Sequence, residues 1–466
     1  MEVKKKGIGG FTVFFGVISS MLFLDTIASS ANMGAQVFSW YIILAIMFFV
    51  PMGFIVAELG ATYPDKGGIY GWIKRAFGVK WAARTSWLYW INAALWMPAT
   101  IIFITGILAQ LFYPEAGLMF NVVAGVILSW IVIYISSLSA EESGTLNLIS
   151  GIIKLILPIC LVLAAIYYTV TKGAATEITF NGLMPNLKEG LDFLPVVVYN
   201  MCGLEIILGN VHKFDNPKKD VPKSVIFGAV TMSVVYIVCS IAILCIIPVE
   251  NVGVVEGFVD AFIIVFGSGL LGKVIIFTIG GLFTATLITQ IQSWTLGSAF
   301  VVAEAAEAGE MPKVFSKYNK NESPVGALLM TGFVSTFVIV LYGLMASSSE
   351  SLFWMLFEFS SMLFLMPYVI LVFAFVKLRK IDQQIERPFR FPGSEGVAKA
   401  FAVGMSLVIM ITIMLFIWVP GYPIDWAYTA PVAGGVIIAI ILGEFIILKT
   451  VKKDKITIED RVNKTS

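Results

Sequence analysis

The chain has 466 residues, 58% of them hydrophobic and 13% charged, with a formal net charge of +1. A soluble domain carries about 25% charged residues, so the composition excludes a soluble protein and assigns the surplus apolar surface to lipid. A near-neutral balance also excludes a nucleic-acid partner, which calls for a basic face.

A membrane-spanning helix needs about 20 apolar residues. On that rule the sequence predicts about twelve spans, at 10–32, 37–59, 85–113, 118–137, 148–170, 191–211, 223–248, 271–300, 325–347, 351–376, 399–419 and 427–448. The lead-in, with Lys4, Lys5 and Lys6, reads as a cytoplasmic approach to the first span. It does not read as a signal peptide, because no small-residue cleavage site closes a short apolar core.

Lysine and arginine gather in cytoplasmic loops, and here they recur at every second loop. Lys74, Arg75, Lys80 and Arg84 follow span two, and Lys213, Lys218, Lys219 and Lys223 follow span six. Lys313, Lys317 and Lys320 follow span eight; Lys377, Arg379, Lys380, Arg387 and Arg390 follow span ten; Lys449, Lys452 and Lys453 follow span twelve. The opposite loops carry Glu115, Glu250, Glu256, Asp260, Glu350 and Asp425, with Lys172 and Lys188 as exceptions; Glu141 and Glu142 decide nothing. An even span count in the plasma (inner) membrane, both termini inside, satisfies this alternation.

Two spans are interrupted. The first carries Asp25 beside Thr26, Ser29 and Ser30; the sixth reads Tyr199-Asn200-Met201-Cys202-Gly203-Leu204-Glu205. Transporters built from inverted repeats place broken helices at matching positions around a midplane site. Spans one and six are five apart. The expected fold is therefore an all-α membrane protein with a five-plus-five inverted repeat, helices 1 and 6 broken, and two appended helices. The repeats would occupy 1–170 and 191–376, the appended helices 399–448, and a tail 449–466.

Cys160, Cys202, Cys239 and Cys245 lie scattered in apolar runs, and His212 is the single histidine. Neither a disulfide framework, a metal cluster nor a cofactor site is expected, and no nucleophile–base pair suggests an enzyme. Asp25 is the sharpest signal, since a mid-membrane carboxylate costs about 2.5–3.5 kcal/mol on insertion scales and faces a cavity or a partner. Either it meets the amine of a substrate, or it pairs with Lys154 of span five. Lys154 in turn is either buried or snorkels to the interface.

Several motifs recur in order along the chain: Gly67-Gly68-Ile69-Tyr70-Gly71-Trp72, the Tyr199–Glu205 stretch, Asn216-Pro217-Lys218-Lys219-Asp220-Val221-Pro222 and Ser293-Trp294-Thr295-Leu296. They continue with Gly309-Glu310-Met311-Pro312, Asn319-Lys320, Pro324-Val325 and Arg387-Pro388-Phe389-Arg390-Phe391-Pro392-Gly393. This pattern resembles the amino acid–polyamine–organocation superfamily, nearest its glutamate/gamma-aminobutyrate and arginine/agmatine antiporter branches. The resemblance implies alternating access and exchange, or proton-coupled transport, of amino acids or amines. It implies that Tyr199, Trp294 and Tyr89 cover the substrate, that Glu205 lies at a gate sensing protons, and that Lys154 stands where sodium binds in other relatives or carries the coupled proton. Gly203 would open helix 6. Cys202, Asn92, Met97 and Gln290 are weaker pocket candidates; Glu358, an acid inside span ten, matches no motif, but an intramembrane acid is a candidate for gating or proton coupling, or for meeting the second charge of a diamine across from Asp25.

The chain departs from the family in helix 1, where Leu24-Asp25-Thr26 replaces a glycine-rich stretch whose N–H groups receive a substrate carboxylate. No arginine follows Trp294, where Gly297-Ser298-Ala299-Phe300 stands. Both changes favour a cationic amine such as agmatine or putrescine over glutamate. The alternatives are a tyrosine/tyramine-type exchanger and a proton-coupled amino-acid symporter. The partners expected are small amines or amino acids, protons and membrane lipid.

Overall fold

The protein is described here by a computed structural model covering residues 10–64, 68–113, 115–138, 143–187, 189–205, 216–254, 256–267 and 269–462. Lys4–Lys6, Gly67, Glu141, Glu142, Lys188, His212 and Lys213, and positions 206–211 of the expected sixth span, lie outside the described residues.

All regular structure among the described residues is helical. Helices α1 (Gly10–Met21) and α2 (Ile27–Ala31) are the two parts of the first span, separated by Leu22, Phe23 and the tight turn Leu24–Thr26. The second span runs from α3 (Val37–Leu44) through a widened turn, Ala45–Phe49, into α4 (Val50–Thr62). Next come α5 (Ile69–Phe77), α6 (Val79–Phe112), α7 (Leu118–Leu138), α8 (Ser143–Lys172), the single turn α9 (Phe180–Leu183) and α10 (Leu194–Tyr199). The second half holds α11 (Pro217–Ile246), α12 (Gly257–Phe266), α13 (Leu270–Glu307), α14 (Val325–Gly343), α15 (Ser349–Ile381), α16 (Glu395–Leu415) and α17 (Trp426–Val462).

Eleven helices among the described residues are long and apolar enough to cross a membrane, and they coincide with eleven of the twelve expected spans. The missing one is the sixth. Its helix α10 stops at Tyr199, because the chain turns at Asn200 and Met201 and reaches Gly203 at φ +106°. In the first span 89% of residues are buried, against 28% in the last, so helix 1 is central and α17 peripheral.

Close helix approach in membranes depends on small residues, because lipid supplies no hydrophobic drive between helices. Gly151 of α8 shows this at the site. A Cβ there would lie 2.3 Å from the carbonyl oxygen of Phe15, so only glycine lets α8 touch the α1 backbone. Asn147, Gly151 and Lys154 fall at i, i+4 and i+7, on one helix face. The close contact therefore aims Lys154 at the broken end of α1.

On the basic face the motif residues tie loops to helix ends. Glu58 of α4, fully buried, accepts bonds from Arg379 Nε (2.9 Å) and Nη2 (2.6 Å), Arg387 Nη1 (3.0 Å) and the Phe391 N–H (2.7 Å). Asp382, one residue beyond α15, accepts a two-pronged bond from Arg75 (2.6 and 3.0 Å) and one from the Tyr63 hydroxyl (2.8 Å). Lys74 pairs with Glu310 at 2.6 Å, and Tyr70 donates to the same carboxylate at 2.8 Å. The Arg75 guanidinium holds Asp382 below the usual carboxylate range.

Candidate functional site

The site begins with the bonds that α1 leaves open. The last four carbonyls of a helix have no partner within it. Here Ile18 C=O accepts from the Leu22 N–H at 3.0 Å, and the other three are met by side chains from three separate helices. Lys154 Nζ of α8 donates to Ser19 C=O at 2.7 Å and, beyond the helix end, to Leu22 C=O at 2.7 Å. Trp294 Nε1 of α13 donates to Ser20 C=O at 2.8 Å, and the Tyr236 hydroxyl of α11 donates to Met21 C=O at 3.1 Å. A cation at this C-terminal end also complements the helix dipole.

Lys154 gives its remaining hydrogen to Gln290 Oε1, so its three donors are used. It is 0% exposed, which removes the snorkelling alternative. Asp25, 2% exposed, keeps its Oδ1 without a hydrogen-bond partner among the described residues. The ammonium is thus held by backbone and amide, not by a direct bond to the carboxylate that acts on it from nearby. A buried polar atom without a partner costs about 1–3 kcal/mol, more when charged, and in a native site it needs an explanation.

A second network braces the break of helix 1 against the turn that ends α10. Thr26 Oγ1 donates to Asn200 Oδ1 at 2.6 Å. Asn200 Nδ2 donates to the hydroxyls of Ser30 (3.2 Å) and Tyr41 (3.1 Å), and Tyr41 donates to Ser30 at 2.9 Å. The break of helix 1, the turn of helix 6 and α3 are thereby joined.

Beside Asp25 stands a cluster of rings. Phe23 lies 5.2 Å from Tyr199, 6.0 Å from Trp96 and 6.2 Å from Trp294, centroid to centroid. Phe364 of α15 contacts Trp294 at 5.3 Å and Tyr199 at 5.5 Å, and Tyr89 stacks on Trp294 at 6.1 Å. Such faces attract cations, each by roughly 0.5–2 kcal/mol. Toward the other end, Tyr89 and Tyr368 both donate to Glu205 Oε1 at 2.7 Å, while Glu205 Oε2 has no partner among the described residues. Gly203 is locked in place: a Cβ there would lie 1.9 Å from Met21 Cε and 2.8 Å from the Trp294 ring. Asp25, Glu205, Tyr199 and Trp294 are each at most 3% exposed, so this form of the site is occluded.

The structure therefore gathers Asp25, Thr26, Tyr199, Gly203, Trp294, Glu205, Tyr89 and Lys154. Cys202, three residues past α10, turns its thiol to the Val198 C=O in the last turn of that helix (3.4 Å). Asn92 and Met97 are buried on α6, Asn92 with Oδ1 unpartnered. Glu358 points elsewhere: its carboxyl neighbours Tyr428 of α17, while the adjacent Phe357 faces Tyr199 at 4.9 Å. Sequence reasoning missed Phe23, Asn200, Tyr236 and Phe364, and it gave Trp96 to packing. Only Asn200 carried a signal, its place in the interrupted sixth span.

The profile of the family described as amino acid permease matches residues 8–442. The chain is 33% identical over 453 residues, 96% of both chains, to a protein named probable agmatine/putrescine antiporter from Lactococcus lactis subsp. lactis. It is 27% identical over 432 residues to a transporter of Legionella pneumophila, covering 90% of this chain and 91% of that one. With the glutamate/gamma-aminobutyrate antiporter of Lactococcus lactis it shares 20% over 436 residues, 90% of this chain and 85% of that one.

Proposed function

We propose that this chain, which belongs to the amino acid permease family and is a multi-pass membrane transporter and not an enzyme, exchanges small cationic amines by alternating access. Agmatine and putrescine are the substrates to try first, in keeping with the name of the 33% identical relative. One observation carries this reading: the buried, unpartnered Oδ1 of Asp25, whose carboxylate lies within electrostatic reach of Tyr199, a member of the ring cluster with Phe23, Trp96 and Trp294. A carboxylate next to aromatic faces provides an ion pair and cation–π contacts together. In that role Asp25 receives the ammonium and the rings enclose the chain. Glu205, held by Tyr89 and Tyr368, gates the far end, and Lys154 fixes the broken end of α1.

Reconstituted vesicles test it. Labelled agmatine should accumulate in vesicles loaded with putrescine and not in empty ones. Preference for glutamate over every amine would overturn the amine reading. Equal uptake into empty vesicles driven by a pH gradient would replace exchange with proton symport.

A further inference from the structure

The amine-carrying role of the site leaves open whether its substrates also carry a carboxylate, as amino acids do. A buried carboxylate is received by backbone N–H groups freed at a helix break or helix start. In the break of helix 1 those donors are already engaged. Leu22 N–H bonds to Ile18 C=O (3.0 Å), Leu24 N–H to Leu22 C=O (3.2 Å) and Thr26 N–H to Phe23 C=O (3.4 Å). The N–H of Asp25 faces its own carboxylate. Phe23 N–H is taken by the Tyr236 hydroxyl at 2.8 Å.

That hydroxyl has no freedom to leave. It accepts from Phe23 N–H and spends its single hydrogen on Met21 C=O (3.1 Å), bridging the two sides of the break. Its ring is fully buried and stacks on Tyr41, with centroids 5.5 Å apart and planes within 3°. Tyr41 is itself fixed through Ser30 and Asn200. Tyrosine is an ordinary packing residue in most spans, but here its hydroxyl occupies the backbone donor a ligand carboxylate needs.

We propose that Tyr236 is a specificity-determining residue: by capping the Phe23 N–H it closes the break of helix 1 to carboxylates, so the site takes amines without a carboxylate and refuses the corresponding amino acids. This rests on the amine-transport reading and narrows it. Both exchanged substrates are then decarboxylated amines. Asp25 reinforces the exclusion by charge, whereas Tyr236 acts by removing a donor.

The experiment compares arginine with agmatine, and ornithine with putrescine, pairs that differ only by the carboxyl group. It uses the full-length protein in vesicles as wild type and Tyr236→Phe. Phenylalanine keeps the stack on Tyr41 and frees the Phe23 N–H. The wild type should prefer agmatine to arginine by about a hundredfold, and Tyr236→Phe should narrow that ratio about tenfold through the KM for arginine. An unchanged ratio in a Tyr236→Phe protein that still transports agmatine overturns the proposal, as does a wild type that carries arginine as well as agmatine. A wild type that carries no amine at all overturns the parent reading instead. Should the variant fail to fold, inhibition of wild-type agmatine uptake by arginine and by arginine methyl ester decides. Stronger inhibition by the ester supports exclusion of the carboxylate; equal weakness of both assigns the exclusion to bulk and overturns it.

Discussion

The acids of the basic face and the acids of the centre are treated in opposite ways. Glu58, Asp382 and Glu310 each have a cation, and Glu58 has two arginines and a backbone N–H besides. Asp25 and Glu205 are equally buried, yet each keeps an oxygen with no partner among the described residues. The nearest cation at the centre, Lys154, is spent on carbonyls and an amide. Burial alone therefore does not mark a functional acid in this protein. Burial with an unfilled lone pair narrows the choice among the described residues to Asp25, Glu205 and Glu358, because a structural carboxylate would gain by filling it, and of these only Asp25 and Glu205 lie at the interrupted spans.

The contrast can be broken by substitution. Glu58→Ala should cause the largest loss of stability, about 3–5 kcal/mol, because it leaves Arg379 and Arg387 buried without their anion. Thermal unfolding in detergent reads this directly. Gly203→Ala comes next: the positive φ and the clash with Met21 and Trp294 should cost about 1–3 kcal/mol and reduce agmatine uptake more than thermal stability. Tyr368→Phe removes one of two hydroxyls from Glu205 and should cost about 1.5 kcal/mol, with transport falling while Tyr89 still holds the carboxylate. A change in Glu58→Ala no larger than that in Tyr368→Phe would remove the distinction between the two regions.

The smallest effect concerns pH. Asp382 has a folded pKa below its ordinary 3.8, so its stabilisation is complete above that value and is lost as pH falls through the lower folded one. The thermal midpoint of the wild type should drop below about pH 4, and less steeply in Asp382→Asn. Equal slopes for the two proteins would show that the Arg75 bond contributes nothing there.

Much of this was legible in the sequence, for identifiable reasons. Spans are read from apolar runs, and eleven appeared where expected because a lipid-facing helix must be continuous in composition. Asp25 stood out because a charge in such a run is costly. Glu58 did not, lying near a helix end among ordinary residues, and its partners are 321 and 329 positions away. Tyr236 sits in an unremarkable stretch of α11, 213 positions from the N–H it caps. Partnerships of that reach leave no local pattern. Glu358 gave the same mid-span signal as Asp25, yet it lies beside Tyr428, because a period of 3.6 residues turns adjacent side chains to different neighbours.

The most direct test is equilibrium binding of agmatine to detergent-purified wild type and Asp25→Asn, with thermal stability measured on the same samples. The account predicts at least about a hundredfold weaker binding in the variant, equivalent to about 2.8 kcal/mol, and an unchanged or raised unfolding temperature. Binding within threefold of wild type would contradict it, since the open oxygen of Asp25 would then not be what the amine meets.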